Sequence, residues 1–171
     1  WVLPLAAYGD MADNLSCCRL QPDLMNLAGG DGEVLLSVIA HIILSQRERD
    51  FWYAMEAVDK RRKEWLLGRL VAKETIRRLL WQWRKENVWS ADIEILPDAK
   101  GKPVVHGPEV PDNCALCLSL SHTETAVVAL AALLPSGSGV GIDVEPQKNT
   151  FDQEFISLAF SPEEQQLLGG D

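Results

Sequence analysis

The chain is poor in the residues that most often mark a redox or transition-metal centre: its 171 residues include four cysteines and three histidines. Cys17 and Cys18 are adjacent. Cys114 and Cys117 have a Cys-x-x-Cys spacing but lie in an apolar run with strand character, where residues three apart face opposite sides. Free thiols are expected, with neither a zinc site nor a disulfide framework, and a reducing, cytoplasmic compartment follows from that usage. No apolar run reaches the roughly 18 residues that a membrane-spanning helix needs. The longest, Val34 to Leu44, contains His41 and reads as a core strand or helix. Positive charge is also scarce. Sixteen Lys and Arg against 25 Asp and Glu give a net charge of −9, so the broad basic surface on which nucleic-acid binding depends is missing. The chain opens on Trp1-Val2-Leu3-Pro4 with no initiator Met, and residues 1–33, rich in Gly and Asp, read as an irregular approach to a domain cut from a longer polypeptide.

What is present suffices for a core. Apolar residues make up 47% of the chain, enough to bury a substantial interior without covalent staples. Ser45-Gln46-Arg47-Glu48 has the pattern of a capping box, with Ser at the N-cap and Glu three residues on, and predicts a helix reaching about Val58. A longer helix follows over about 59–86. On it Trp65, Ala72, Ile76, Leu79, Leu80 and Trp83 recur along one core-facing stripe, and Arg62, Arg69 and Lys73 fall at its edge. Gly68 inside that helix lowers its stability relative to Ala, a sign of close approach by another group. Trp52, Trp65, Trp81 and Trp83 share helical spacing and read as core or interface residues. Strands are predicted at Ile93 to Leu96, Val104 to His106, Cys114 to Ser121, Ala126 to Leu134 and Val140 to Glu145, and short helices at Gln153 to Leu158 and Pro162 to Leu168. The mixture is α+β, with no evident internal repeat.

Chemistry concentrates in three places. Asp143-Val144-Glu145 closes an apolar run, and alternation along a strand would put both carboxylates on one face with Val144 in the core. Such a pair suits Mg²⁺, which keeps several waters and takes only one or two protein carboxylates alongside substrate phosphates. Two acids ahead of Pro146 are equally the composition of a solvated turn. Ser121-His122, followed by Thr123, offers short-reach donors for a phosphate at a strand end, though no third partner marks a Ser/His/Asp nucleophile. Lys60 to Lys73 supplies the cations that an anionic ligand would need, although charge runs also occur on solvated helix faces.

Taken in order, Arg-Arg-x-x-x-Leu-Leu-Gly-Arg-x-x-x-Lys at 61–73, Gly101-Lys102-Pro103, Leu118-Ser119-Leu120-Ser121-His122 and Gly141-Ile142-Asp143-Val144-Glu145 resemble the Sfp-type 4′-phosphopantetheinyl transferases. The similarity runs over about 59–168 and ends at Phe160-Ser161-Pro162-Glu163-Glu164, which looks like the family's Phe-Ser-x-x-Glu helix start. The resemblance implies transfer of the phosphopantetheine arm of coenzyme A to a serine of an acyl- or peptidyl-carrier protein. It implies that Asp143 and Glu145 hold Mg²⁺ as catalytic and metal residues, that Ser121, His122, Lys60, Arg61 and Arg69 surround the 3′-phosphate, and that Lys102 and Pro103 border the adenine. It also implies two similar α+β lobes related by a pseudo-twofold axis: a complete first lobe over 34–134 and a second, from 140 to 171, only partly covered. The Arg61 to Arg69 form looks like transferase domains carried on large polyketide synthases, whose carrier domain would lie in the same polypeptide. Neither nucleic acid nor membrane is an expected partner.

One feature of the resembled family has no counterpart here. Its Trp-x-x-Lys-Glu-Ala-x-x-Lys motif, which supplies a third metal-site carboxylate, would fall beyond Asp171, and neither Trp65 with Arg69 nor Lys73-Glu74 substitutes for it. The alternative is therefore a non-catalytic module that binds coenzyme A or a carrier protein. A metal-dependent nucleotide hydrolase built on Asp143 and Glu145 stands last, because no water-activating His or Glu accompanies the pair.

Overall fold

Burial of one face of a long helix against a three-stranded sheet organises the protein. The computed structural model describes residues 13–21, 30–56, 59–146, 157–162 and 164–165. The described elements are β1 (Leu15–Leu20), α1 (Gly30–Ile43), α2 (Gln46–Ala54), α3 (Asp59–Arg84), a 3-10 turn (Ser90–Asp92), β2 (Glu94–Pro97), β3 (Pro103–His106), β4 (Cys114–His122) and β5 (Val127–Pro135). Strands β1, β5 and β4 form an antiparallel sheet in that order, and β2 and β3 form a separate two-stranded ribbon.

The core-facing stripe of α3 carries the packing. Leu67, Val71, Ala72, Ile76, Leu79 and Leu80 are buried against Cys18, Leu118, Val127, Ala129, Ala131 and Leu133 of the sheet and against Ile93 and Ile95. Val127, Ala129, Ala131 and Leu133 alternate along β5 and so share the face toward α3, where the two alanines let the helix axis come close. A second cluster joins the three helices through Ala40, Ile43, Leu44, Trp52 and Leu66. Ser45 caps α2 as the sequence predicts: its hydroxyl accepts from Glu48 N–H, and Glu48 accepts from Ser45 N–H.

Several expectations need correction. Residues 15–20, taken as part of an irregular approach, form β1, paired in register Leu15 with Ala132 through Leu20 with Val127. Leu15 to Cys18 are buried on consecutive positions, so the strand lacks the alternation that would reveal it. Val140 to Glu145 has no strand ladder. Lys73 and Arg69 do not sit at the edge of the α3 stripe: Lys73 is 0% and Arg69 8% exposed. Trp81 points outward, at 47% exposed, although it shares the spacing of its neighbours. Among the described residues no group beyond the helix's own backbone and the two chain neighbours comes within 4 Å of where a Gly68 Cβ would stand. Helix α2 ends at Ala54. Most of the two short helices expected after residue 150 lies outside the described residues, of which 157–159, 162 and 164–165 are helical.

Gly107 shows where a glycine is required. Its φ of 105° lies in the region that favours glycine, and a Cβ there would stand 2.1 Å from the Asp92 carbonyl oxygen. Gly107→Ala is expected to lower stability by about 1–3 kcal/mol through both effects, read as a fall in the urea midpoint; an unchanged midpoint would contradict the geometry.

Candidate active site

A groove opens between the N-terminal half of α3 and the C-terminal half of β4. It consists of two cavities, of about 750 Å³ and 550 Å³, which share Arg61, Trp65, Arg69 and Leu120 as lining residues. Lys60, Arg61, Arg69, Ser121 and His122 line the smaller cavity together, with Gly68 as part of its wall. Lys102 and Pro103 line the larger one beside Phe51, Met55 and Pro97. Seven residues singled out in the sequence thus converge from two helical turns, a ribbon and a strand end.

The ribbon owes its position to its turn. The Asp98 carboxylate accepts from Lys100 N–H at 2.8 Å and Lys102 N–H at 2.9 Å, while Gly101 adopts a φ of 83°. That closes β2 onto β3 and sets Lys102 and Pro103 at the rim.

Along β4, Leu116, Leu118 and Leu120 pack toward the core, which turns Cys117, Ser119 and Ser121 the other way. The segment 138–144 is held along those three residues. Cys117 Sγ lies 3.3 Å from Ser138 O, Ser119 Oγ accepts from Ile142 N–H at 3.1 Å, and Ser121 Oγ accepts from Val144 N–H at 3.2 Å. Serine hydroxyls thus take amides that a strand ladder would have used. The alternation expected of a strand survives nonetheless: Ile142 and Val144 are half-buried, whereas Gly141, Asp143 and Glu145 are exposed. Ser121 also donates to Asp143 Oδ1 at 2.7 Å, which ties the acid pair to the strand end that lines the smaller cavity.

The charges at the cavity mouth are paired loosely. Lys60 Nζ lies 3.0 Å from Glu124 and 4.0 Å from Glu64, and His122 Nε2 lies 3.9 Å from Glu64. The hydrogen bond to Glu124, then the charges of Glu124 and Glu64, push the Lys60 ammonium above its ordinary pKa. Such exposed pairs contribute little stability.

Beneath the groove the pairing is tight. Glu48, fully buried, accepts from Lys73 Nζ at 2.5 Å through Oε2 and from Ile95 N–H at 3.1 Å through Oε1. Burial pushes the Lys73 ammonium below its usual pKa, against the pull of that bond and of the Glu48 charge. Sequence reasoning found Glu48 as a helix cap and missed this second role. The signal lay in the coincidence of a capping-box Glu with a Lys on the buried stripe of the next helix.

Among the described residues no group of three or more His, Cys, Asp or Glu could hold a metal ion. Asp143 and Glu145 are two oxygen donors, a number that fits Mg²⁺ only in the manner in which substrate phosphates and water complete the shell.

Comparison with known proteins follows the same direction. No protein-family model matches the chain. A holo-[acyl-carrier-protein] synthase of Exiguobacterium sibiricum is 29% identical over 103 residues, 60% of this chain and 77% of that protein. One from a Geobacillus species is 32% identical over 87 residues, 51% of this chain and 70% of that protein. The crystal structure of a Bacillus anthracis holo-(acyl-carrier-protein) synthase in complex with CoA (3′,5′-ADP) shares the fold, with a TM-score of 0.55 and 24% identity over 72% of this chain and 96% of that one. The protein is a phosphopantetheinyl transferase. Within that class the level of identity to the Geobacillus protein places it more narrowly: the chain belongs to the holo-[acyl-carrier-protein] synthase family.

Lys73→Met removes the only ammonium bonded to Glu48 among the described residues and leaves the buried carboxylate with no charged partner nearer than Arg69 at 3.8 Å. A loss of about 3–5 kcal/mol is expected, measured by urea denaturation; a loss under about 1 kcal/mol would show that the pair is not a structural charge pair.

Proposed function

We propose that the protein transfers the 4′-phosphopantetheine arm of coenzyme A to a serine of an acyl- or peptidyl-carrier protein, releasing adenosine 3′,5′-bisphosphate. One observation carries the reading: Lys60, Arg61, Arg69, Ser121 and His122 line one cavity in a member of the holo-[acyl-carrier-protein] synthase family. A 3′-phosphate there would take a hydrogen bond from His122 and charge from the three cations, with Ser121 lining the cavity beside it while its hydroxyl holds Asp143. Lys102 and Pro103, with Phe51 and Trp65 across the larger cavity, form a slot with apolar walls for the adenine.

The chemistry asks little of the protein beyond position and charge. The carrier serine oxygen attacks the β-phosphorus, the bond to the bridging oxygen breaks, and negative charge accumulates on the departing bisphosphate, where Arg61 and Arg69 offset it. No protein nucleophile takes part. Asp143 and Glu145 would hold Mg²⁺, which when bound neutralises charge on the diphosphate. The Ser121 hydroxyl orients Asp143, and the exposed carboxylates of the pair are the acceptors within the site for the serine proton.

Finer features rest on less. The two-lobe arrangement gains support from a repeated capping box, with the start of the first lobe moved from 34 back to β1, which pairs with β5. Ser161 N–H donates to Glu164 at 2.8 Å and Glu164 N–H to Ser161 Oγ at 3.3 Å, the same reciprocal pair that Ser45 and Glu48 make at 2.8 and 3.2 Å. The Sfp-type assignment rests on the four ordered motifs at 61–73, 101–103, 118–122 and 141–145, and an origin in a polyketide synthase with a carrier domain in the same polypeptide rests on the Arg61 to Arg69 motif. Free cysteines support a cytoplasmic setting. The second reading, a module that binds coenzyme A without transfer, is favoured by the absence of a third metal ligand among the described residues.

Incubation with apo carrier protein, coenzyme A and Mg²⁺ is expected to add one phosphopantetheine to the carrier, seen as intact mass, and Asp143→Ala to slow labelling by at least about 100-fold. Binding of coenzyme A with no gain of mass across several carriers would favour the non-catalytic module.

A further inference from the structure

Three ionised side chains pack together under the groove, and two of them cancel. Glu48 Oε2 accepts from Lys73 Nζ at 2.5 Å and Ser45 N–H at 2.8 Å, and Lys73 donates its other bond to the Ile43 carbonyl at 2.6 Å. Glu48 Oε1 accepts from Ile95 N–H at 3.1 Å and stands 3.8 Å from Arg69 Nε. Carboxylate and ammonium are therefore each bonded to the other and to backbone. The surplus positive charge of the triad resides on Arg69.

Arg69 is the member left wanting. It is 8% exposed, and its Nε is buried without a hydrogen-bond partner. Its guanidinium carbon lies 4.5 Å from the centre of the Trp65 ring, and the residue lines both cavities of the groove. Burial pushes its pKa down and the Glu48 charge opposes that push. A largely desolvated cation at the wall of a groove is a receptor for an anion, because the ligand repays a cost already incurred on folding. Its orientation depends on what fixes the guanidinium from behind. Trp65 supplies a flat surface, and Glu48 supplies the single carboxylate near Arg69 among the described residues.

We propose that Glu48 is a positioning residue for the transfer reaction: anchored by Lys73 and by the β2 backbone, its carboxylate holds Arg69 against Trp65 so that the guanidinium meets a phosphate of coenzyme A. This deepens the function proposed above and rests on it. Glu48 touches no substrate and acts through Arg69.

The test must separate positioning from stability, since removal of Glu48 alone leaves Lys73 buried and unpaired. The double variant Glu48→Gln/Lys73→Met removes both charges and keeps one amide oxygen for either the Ile95 or the Ser45 N–H, and its melting temperature is measured beside the binding assays so that a loss of affinity is read from folded protein only. Its Kd for coenzyme A, by calorimetry, is expected to weaken by about tenfold, and its KM for coenzyme A to rise in step. Its kcat should fall as well, because Arg69 also meets the charge on the departing bisphosphate, and its KM for the carrier protein should not move. Glu48→Asp, which keeps the charge beside Lys73 but withdraws it from Arg69, is expected to weaken coenzyme A binding in the same direction. Unaltered coenzyme A affinity in both variants would overturn the inference while leaving the proposed function intact; failure of the unaltered protein to bind coenzyme A would overturn both.

Discussion

The carboxylate of Glu48 is the point at which the separate parts of this protein are joined. It receives Ser45 N–H at the start of α2, Ile95 N–H from β2 and the ammonium of Lys73 from α3, and Lys73 in turn reaches the Ile43 carbonyl at the end of α1. Burying such a pair costs desolvation on both sides, and the attraction repays it only when the remaining donors and acceptors are satisfied. Here three bonds to backbone groups serve that end, from Ser45 N–H and Ile95 N–H to Glu48 and from Lys73 to the Ile43 carbonyl. The pair adds specificity of arrangement more than raw stability: three helices and a ribbon have one relative placement in which every one of these bonds forms.

The groove follows from that placement. Helix α3 is pinned to the ribbon at Lys73 and to the sheet by its apolar stripe, so Arg61, Trp65 and Arg69, one to three turns nearer its N-terminus, stand over β4 at a fixed height. The ribbon turn contributes Lys102 and Pro103, and the strand end contributes Ser121 and His122. Rigid elements hold the cations, while the acid pair lies on an extended segment held by serine hydroxyls, with neighbouring positions alternately half-buried and exposed. The division suits the proposed phosphoryl transfer, in which fixed positive charge would bind the cofactor and the acids would serve the reacting end.

Much of this was legible in the sequence. The capping box at Ser45, the length of α3 and four strands after it followed from local patterns, because propensity, capping and periodicity agreed with the tertiary outcome there. The candidate site residues were named from motif order, and the fold then brought seven of them to one groove. What could not be read was decided by tertiary contacts. Strand β1 is buried on successive positions, so its period is hidden; Val140 to Glu145 reads as a strand but gives its amides to Ser119 and Ser121. Trp81 shares its spacing with buried neighbours yet faces solvent. Glu48 and Lys73 lie 25 residues apart and each has a bland local explanation, a cap and a stripe edge, so only the fold shows them as partners.

A crystal structure of the protein with coenzyme A bound tests the account most directly. The phosphates are expected in the groove between α3 and β4, within hydrogen-bond distance of Arg69, with the Glu48 to Lys73 pair intact behind it. Coenzyme A seated elsewhere on the protein, or lying in the groove with Arg69 turned away from every phosphate, would contradict it.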